Sequence, residues 1–96
     1  MPTTIDTRFF LTHYLADADD LRRRTSRRMI ELQREAAIVP TIVIHEVYKF
    51  EYENVGRDVA ETRADSILES RFNIVDLTPE IAIASARLRC KYRRIP

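Results

Sequence analysis

Two carboxylates stand where a carboxylate is costly. Asp6 closes the first short apolar run, in "PTTIDTRFF" at residues 2–10, and Glu46 lies inside "IVIHEVYKF" with apolar neighbours on both sides. An ionised side chain beside a core strand, or on the inner side of a helix, loses hydration unless a cap, an arginine or a metal uses its charge. Carboxylate oxygens are the donors that hard divalent cations prefer. On the residues alone, a salt bridge, a cap and a metal or catalytic role all stay open. The other reactive groups are worse placed. His45 precedes Glu46 but points about 100° away around a helix, so it reads as a surface residue and not a co-ligand. Cys90 has no histidine positioned to activate it and reads as a small core residue. Asp76 ends a later strand, where it is either an extra acid or a turn residue before Thr78.

Composition narrows the chemistry further. Ninety-six residues, 45 % hydrophobic and 32 % charged, suit one small globular domain over 1–96. The single glycine, Gly56, excludes the Gly-rich phosphate loops, and the single cysteine excludes both disulfide frameworks and cysteine-based zinc sites. No membrane span or signal peptide is visible, and a reducing cytoplasm is expected. The net charge is only +1, but the arginines are uneven. "RRRTSRR" at 22–28 and "RLRCKYRR" at 87–94 concentrate the positive charge. Such clusters either decorate a solvated helix face or grip phosphate.

The elements that must position these residues alternate between short β-like and longer helical runs. Thr3, Thr4 and Ile5 predict a strand ending at Asp6. A short helix over 6–15 follows, with Phe9, Phe10 and Leu15 as inward candidates. Any of Asp17, Asp19 or Asp20 can cap the next helix. Its apolar stripe is Leu21, Thr25, Met29, Leu32 and Ala36. A brief strand near 37–39 leads to a helix capped by Thr41 and closed near Gly56, with Val43, Val47 and Phe50 on one face. Val59, Arg63 or Ala64, Ile67 and Leu68 mark another helix. "FNIVDL" at 72–77 reads as a buried strand. "TPE" at 78–80 starts a last helix with Ile81, Ala84, Leu88 and Tyr92 on one face. The pattern predicts an α/β domain with a parallel sheet, whose functional crevice lies beyond the carboxyl ends of the strands.

"IDTRFFL", "VPTIVIHEVYKFEYENVGRDVAE" and "FNIVDLTPEIAIASARLRCKYRRIP" together resemble the PIN-domain family, and most closely its VapC-type toxins. That resemblance implies a three-layer α/β/α fold with a short parallel sheet. It also implies a Mg²⁺- or Mn²⁺-dependent endoribonuclease from a toxin–antitoxin pair. Asp6 and Glu46 match two of the family's metal-binding acids, and Thr7 matches the residue after the first acid, which orients a water or phosphate. The implied partners are RNA, a VapB-type antitoxin and a second copy of the chain. In the family a third acid follows closely after an "IP" like Ile95–Pro96, and a fourth comes later. The 96 residues hold two of the four, so the expectation is an incomplete domain, either a fragment or a natural truncation without nuclease activity. Lacking its last elements, it should expose the edge at Thr3–Asp6 and self-associate or unfold. A non-catalytic interaction module, holding an antitoxin or itself, is the competing class.

Overall fold

Parallel pairing organises the chain. A computed structural model describes residues 3–92, and in it three extended stretches run side by side in the same direction. Thr4 forms an isolated parallel bridge with Ile38. The bridge is held by Ile5 N–H donating to the Ile38 carbonyl at 2.9 Å and Ile38 N–H to the Thr3 carbonyl at 2.8 Å. Strand β1 (Ile38–Pro40) then pairs with β2 (Asn73–Val75) in the register Ile38–Asn73, Val39–Ile74 and Pro40–Val75. Pro40 is tolerated because it ends its strand, where its missing N–H interrupts no ladder. The mixed α/β class with a parallel sheet is therefore as the sequence predicts, although the strands are short and helices dominate.

Five helices accompany these strands: α1 (Thr7–Leu15), α2 (Asp19–Arg34), α3 (Thr41–Asn54), α4 (Arg57–Leu68) and α5 (Pro79–Tyr92). In α1, Phe10 is fully buried and lies edge-on to Phe72, with ring centroids 5.7 Å apart. Leu15, expected inside, is 49 % exposed, because the inward face of this short helix runs through Phe10 and Tyr14, four residues apart. No aspartate caps α2. Its N-cap is Ala18, and Asp19 and Asp20 sit instead in the first turn, where their charge opposes the positive end of the helix dipole. Thr41 likewise begins α3 rather than capping it, and the cap position belongs to Pro40. At α5 the expectation holds, since Ile81 N–H donates to Thr78 Oγ1 at 3.2 Å. Ile81 is half-buried and Ala84 exposed on that helix. The side chains of Leu88 and Tyr92, and the arginines at 93 and 94, lie outside the described residues.

Two helix ends decide how the elements turn. Ala36 falls beyond α2 rather than on its stripe, with a left-handed φ of 51°. Ala36 N–H donates to the Gln33 carbonyl at 3.0 Å and Ala37 N–H to the Leu32 carbonyl at 2.9 Å. This is the double closure usually built on glycine, here with Ala37 and Leu32 supplying the accompanying apolar contact in the core. Gly56, the chain's one glycine, occupies φ 145° and ψ 171°, a region open in practice only to glycine, and links α3 to α4. The core between these turns contains Ile5, Phe10, Leu32, Val39, Val43, Val47 and Ile67, with α1 touching both α2 and α3, and α3 packed closely along α4. Ile67 faces that core while Leu68, one residue further round the helix, is largely exposed. Among the described residues no helix is long and apolar enough to cross a membrane.

Candidate functional site

Asp6 is extended, with φ −101° and ψ 173°, and is the N-cap of α1. Its Oδ1 accepts the Phe9 N–H at 3.3 Å, so the first use of this carboxylate is to satisfy a free donor at the helix start. That bond also fixes the orientation of a half-buried carboxylate. Thr7 follows as the first residue of α1. Thr7 is 6 % exposed, and its buried Oγ1 has no hydrogen-bond partner among the described residues. An unpaired buried hydroxyl is costly, and Thr7 carries that cost directly beside the Asp6 carboxylate.

Glu46 lies in the second turn of α3 and is half-buried. Sheet register relates it to Asp6. Continuing the Thr4–Ile38 bridge places Asp6 level with Pro40, immediately before α3 begins, and Val75 pairs with Pro40 from the other side. Asp6, the start of α3 and Asp76 therefore leave the sheet at one edge, the carboxyl end of all three extended stretches. Asp76 itself is exposed. Among the described residues no group of three His, Cys, Asp or Glu side chains is gathered closely enough to hold a metal ion. The oxygen chemistry nevertheless fits a hard cation, because Mg²⁺ is commonly held by one or two carboxylates, with water and substrate phosphate completing its shell. His45 is exposed, as its spacing predicts. Cys90 is exposed too, contrary to the expectation of a core residue.

A second group of polar side chains lies inside the molecule and escapes the sequence reading. Glu51, on α3, is 1 % exposed, and its Oε1 has no hydrogen-bond partner. Arg63 of α4 places its guanidinium 4.4 Å from the centre of the Tyr14 ring of α1, while its own Nε is buried and unpartnered. Burial pushes the Tyr14 hydroxyl above its usual pKa; the Arg63 charge works against that rise and the Glu51 charge adds to it. One signal for Glu51 was present. Val43, Val47 and Glu51 are spaced by four, so the helical stripe that carries two core valines runs directly into the glutamate.

Near this group, His13 Nδ1 lies 2.8 Å from Thr25 Oγ1, joining α1 to α2. The Leu21 and Arg22 carbonyls lie 3.0 and 3.1 Å from the Thr25 hydroxyl, so when either accepts its proton the Thr25 oxygen is left to accept from His13 Nδ1–H. Burial lowers the His13 pKa, and the positive charges of Arg63 and Arg22 lower it further. Arg22 also anchors the turn between the two helices by donating to the Ala16 carbonyl at 2.9 Å.

The model of the PIN domain family matches residues 3–96, which is nearly the entire chain. No curated protein and no solved structure matches it. Parallel strands, an acid at the carboxyl end of the first extended stretch and a second acid early in the helix after β1 agree with that match. The chain belongs to the PIN-domain family, a nuclease-type fold whose members are generally dependent on divalent metal.

Proposed function

We propose that this protein is a Mg²⁺- or Mn²⁺-dependent endoribonuclease of the VapC type, with Asp6 and Glu46 as metal ligands and Thr7 as the residue that orients a water or a phosphate oxygen. The observation that carries this reading is the Asp6–Thr7 pair. A carboxylate is oriented by the Phe9 N–H at the sheet's carboxyl edge, and next to it is a buried hydroxyl without a partner. A divalent ion bound there would make a water more nucleophilic and neutralise charge developing on the scissile phosphate. The chain's own contribution is positional. The Phe9 bond holds one Asp6 oxygen and leaves the other to a ligand, Glu46 brings a second carboxylate from the adjoining helix, and Thr7 Oγ1 offers both a donor and acceptor lone pairs. Without a cation the two acids repel phosphate, so RNA binding at this edge and metal binding support each other. The same reading implies a cytoplasmic protein that meets a VapB-type antitoxin and a second copy of itself.

Titrating the protein with Mn²⁺ by calorimetry tests the reading. Wild-type protein should bind Mn²⁺, and Asp6→Asn, which keeps the shape and the capping oxygen, should lose that binding while retaining its thermal melt. Equal Mn²⁺ affinity in both proteins overturns the assignment of Asp6 and favours an interaction module without metal chemistry.

A further inference from the structure

Five arginines in seven residues occupy the middle of α2, and their contacts divide them into two sets. Arg22 is engaged with the Ala16 carbonyl, and Arg28 pairs with Glu31 at 3.1 Å. Arg23 has only a loose, solvent-exposed contact of 3.7 Å with Asp20. Arg24 and Arg27 are exposed and form neither an ion pair nor a hydrogen bond with any described residue. A structural account covers Arg22 and Arg28 but not these three. Asp19 and Asp20, one turn before Arg23, are the nearest acids and are outnumbered by the arginines, so the remaining positive charges repel one another and the arrangement is favourable chiefly when an anion is bound.

The shape of this surface indicates which anion. Arg23 and Arg27 are one helical turn apart, about 6 Å along the axis. With Arg22, Asp19 and Ser26 they line one shallow concavity. Two guanidinium forks and a hydroxyl on one side of a helix match a run of phosphate oxygens, which accept paired N–H bonds. A peptide-binding surface would be expected to include an apolar anchor. Here the concavity has none, and the nearest exposed apolar side chain on the helix is Ile30, beyond its rim. We infer that the α2 face formed by Arg23, Ser26 and Arg27 binds the sugar–phosphate backbone of the RNA strand, away from the metal-binding acids and without reading bases. This inference rests on the ribonuclease reading for the identity of the nucleic acid.

The test measures binding of a fluorescein-labelled 20-nucleotide oligouridylate to the full chain by anisotropy, in EDTA, across a series of KCl concentrations. Two lost contacts to a single strand should reduce the slope of log K against log salt by about 1.4 in Arg23→Gln/Arg27→Gln. The control Arg57→Gln/Arg71→Gln removes the same charge elsewhere and should keep the wild-type slope, and melting curves should be unchanged in both. An unchanged slope in Arg23→Gln/Arg27→Gln, or an equal loss in the control, overturns the α2 assignment. It leaves the ribonuclease reading intact provided wild type binds RNA and Asp6→Asn abolishes Mn²⁺ binding. Absence of RNA binding by wild type in EDTA overturns the α2 assignment alone, and absence in Mn²⁺ as well removes both. Displacement of the RNA by poly-glutamate as effective as by inorganic polyphosphate would show a general anion surface and overturn the phosphate assignment.

Discussion

Glu46 and Glu51 are the same residue type on the same helix, five positions apart, and they occupy opposite environments. Glu46 sits near the start of α3, half-buried at the sheet's carboxyl edge. Glu51 is enclosed between α1, α3 and α4, close to the Tyr14 ring and the Arg63 guanidinium. The difference shows that a buried acid and a reactive acid are separate things. A carboxylate reachable by water and phosphate can exchange ligands, whereas one sealed in the core can only act on its neighbours. The first is suited to metal chemistry. The second fills space between α3 and its neighbours with one oxygen unpartnered among the described residues, which costs desolvation.

That contrast can be broken most sharply by truncating each acid. Glu51→Ala should lower stability by about 3 kcal/mol, as a cavity opens in the α1–α3–α4 packing, and urea unfolding measures it. Glu51→Met fills the same volume without a charge and should recover most of the loss, because Arg63 retains its seat on Tyr14. If Ala and Met are equally damaging, the carboxylate itself is the stabilising element. For Glu46→Gln the pattern should reverse. Mn²⁺ affinity should fall at least about 10-fold, while stability changes by less than ~1 kcal/mol. A Glu46→Gln protein that unfolds early would place Glu46 with Glu51 as a structural acid.

Gly56 sharpens the comparison from the backbone side. Val55 and Gly56 N–H groups both donate to the Glu51 carbonyl, at 2.8 and 2.9 Å, so the turn after α3 is anchored on the buried acid's own residue. A Cβ at position 56 would meet no atom within 4 Å, leaving conformational strain as the main cost of Gly56→Ala. That cost should be about 1–2 kcal/mol in thermal unfolding, with Mn²⁺ affinity at the far end of α3 unchanged. Loss of Mn²⁺ binding in this variant would mean that the two ends of α3 are coupled.

The smallest effect concerns His13, which bonds Thr25 of α2 and lies within the influence of the Arg63 and Arg22 charges. Its folded pKa lies below the ordinary value near 6.5. The unfolded chain therefore binds the proton more readily, and stability should be constant above about pH 7 and decline as pH falls through 6.5. His13→Gln should flatten that decline in pH-dependent urea melts. An identical slope in wild type and variant would assign the acid sensitivity to other groups.

How much of this was legible beforehand depends on the range of the interaction. The start of α5 was readable in Thr78, Pro79 and Glu80, since a cap, a preset φ and a first-turn acid all act within one turn. Gly56 was readable as the end of α3 for the same reason. The caps expected at Thr41 and in the Asp17–Asp20 run were wrong because Pro40 ends its strand directly against α3, and because Asp19 and Asp20 are already helical. Leu15 was expected inside, yet it lies one step round its helix from Tyr14, which meets the core.

Order along the chain was enough to determine the α/β alternation, the family and the two acids at strand-end and early-helix positions, because periodicity, punctuation and short motifs are local properties. Tertiary structure alone decided that Asp6 caps α1, that Thr7 Oγ1 is buried with no partner among the described residues, and that Arg63 lies on Tyr14. Those facts depend on which helix faces which. Packing a stripe of valines against α4 drew the fourth-spaced glutamate inside with them, and no local preference of glutamate could have announced that.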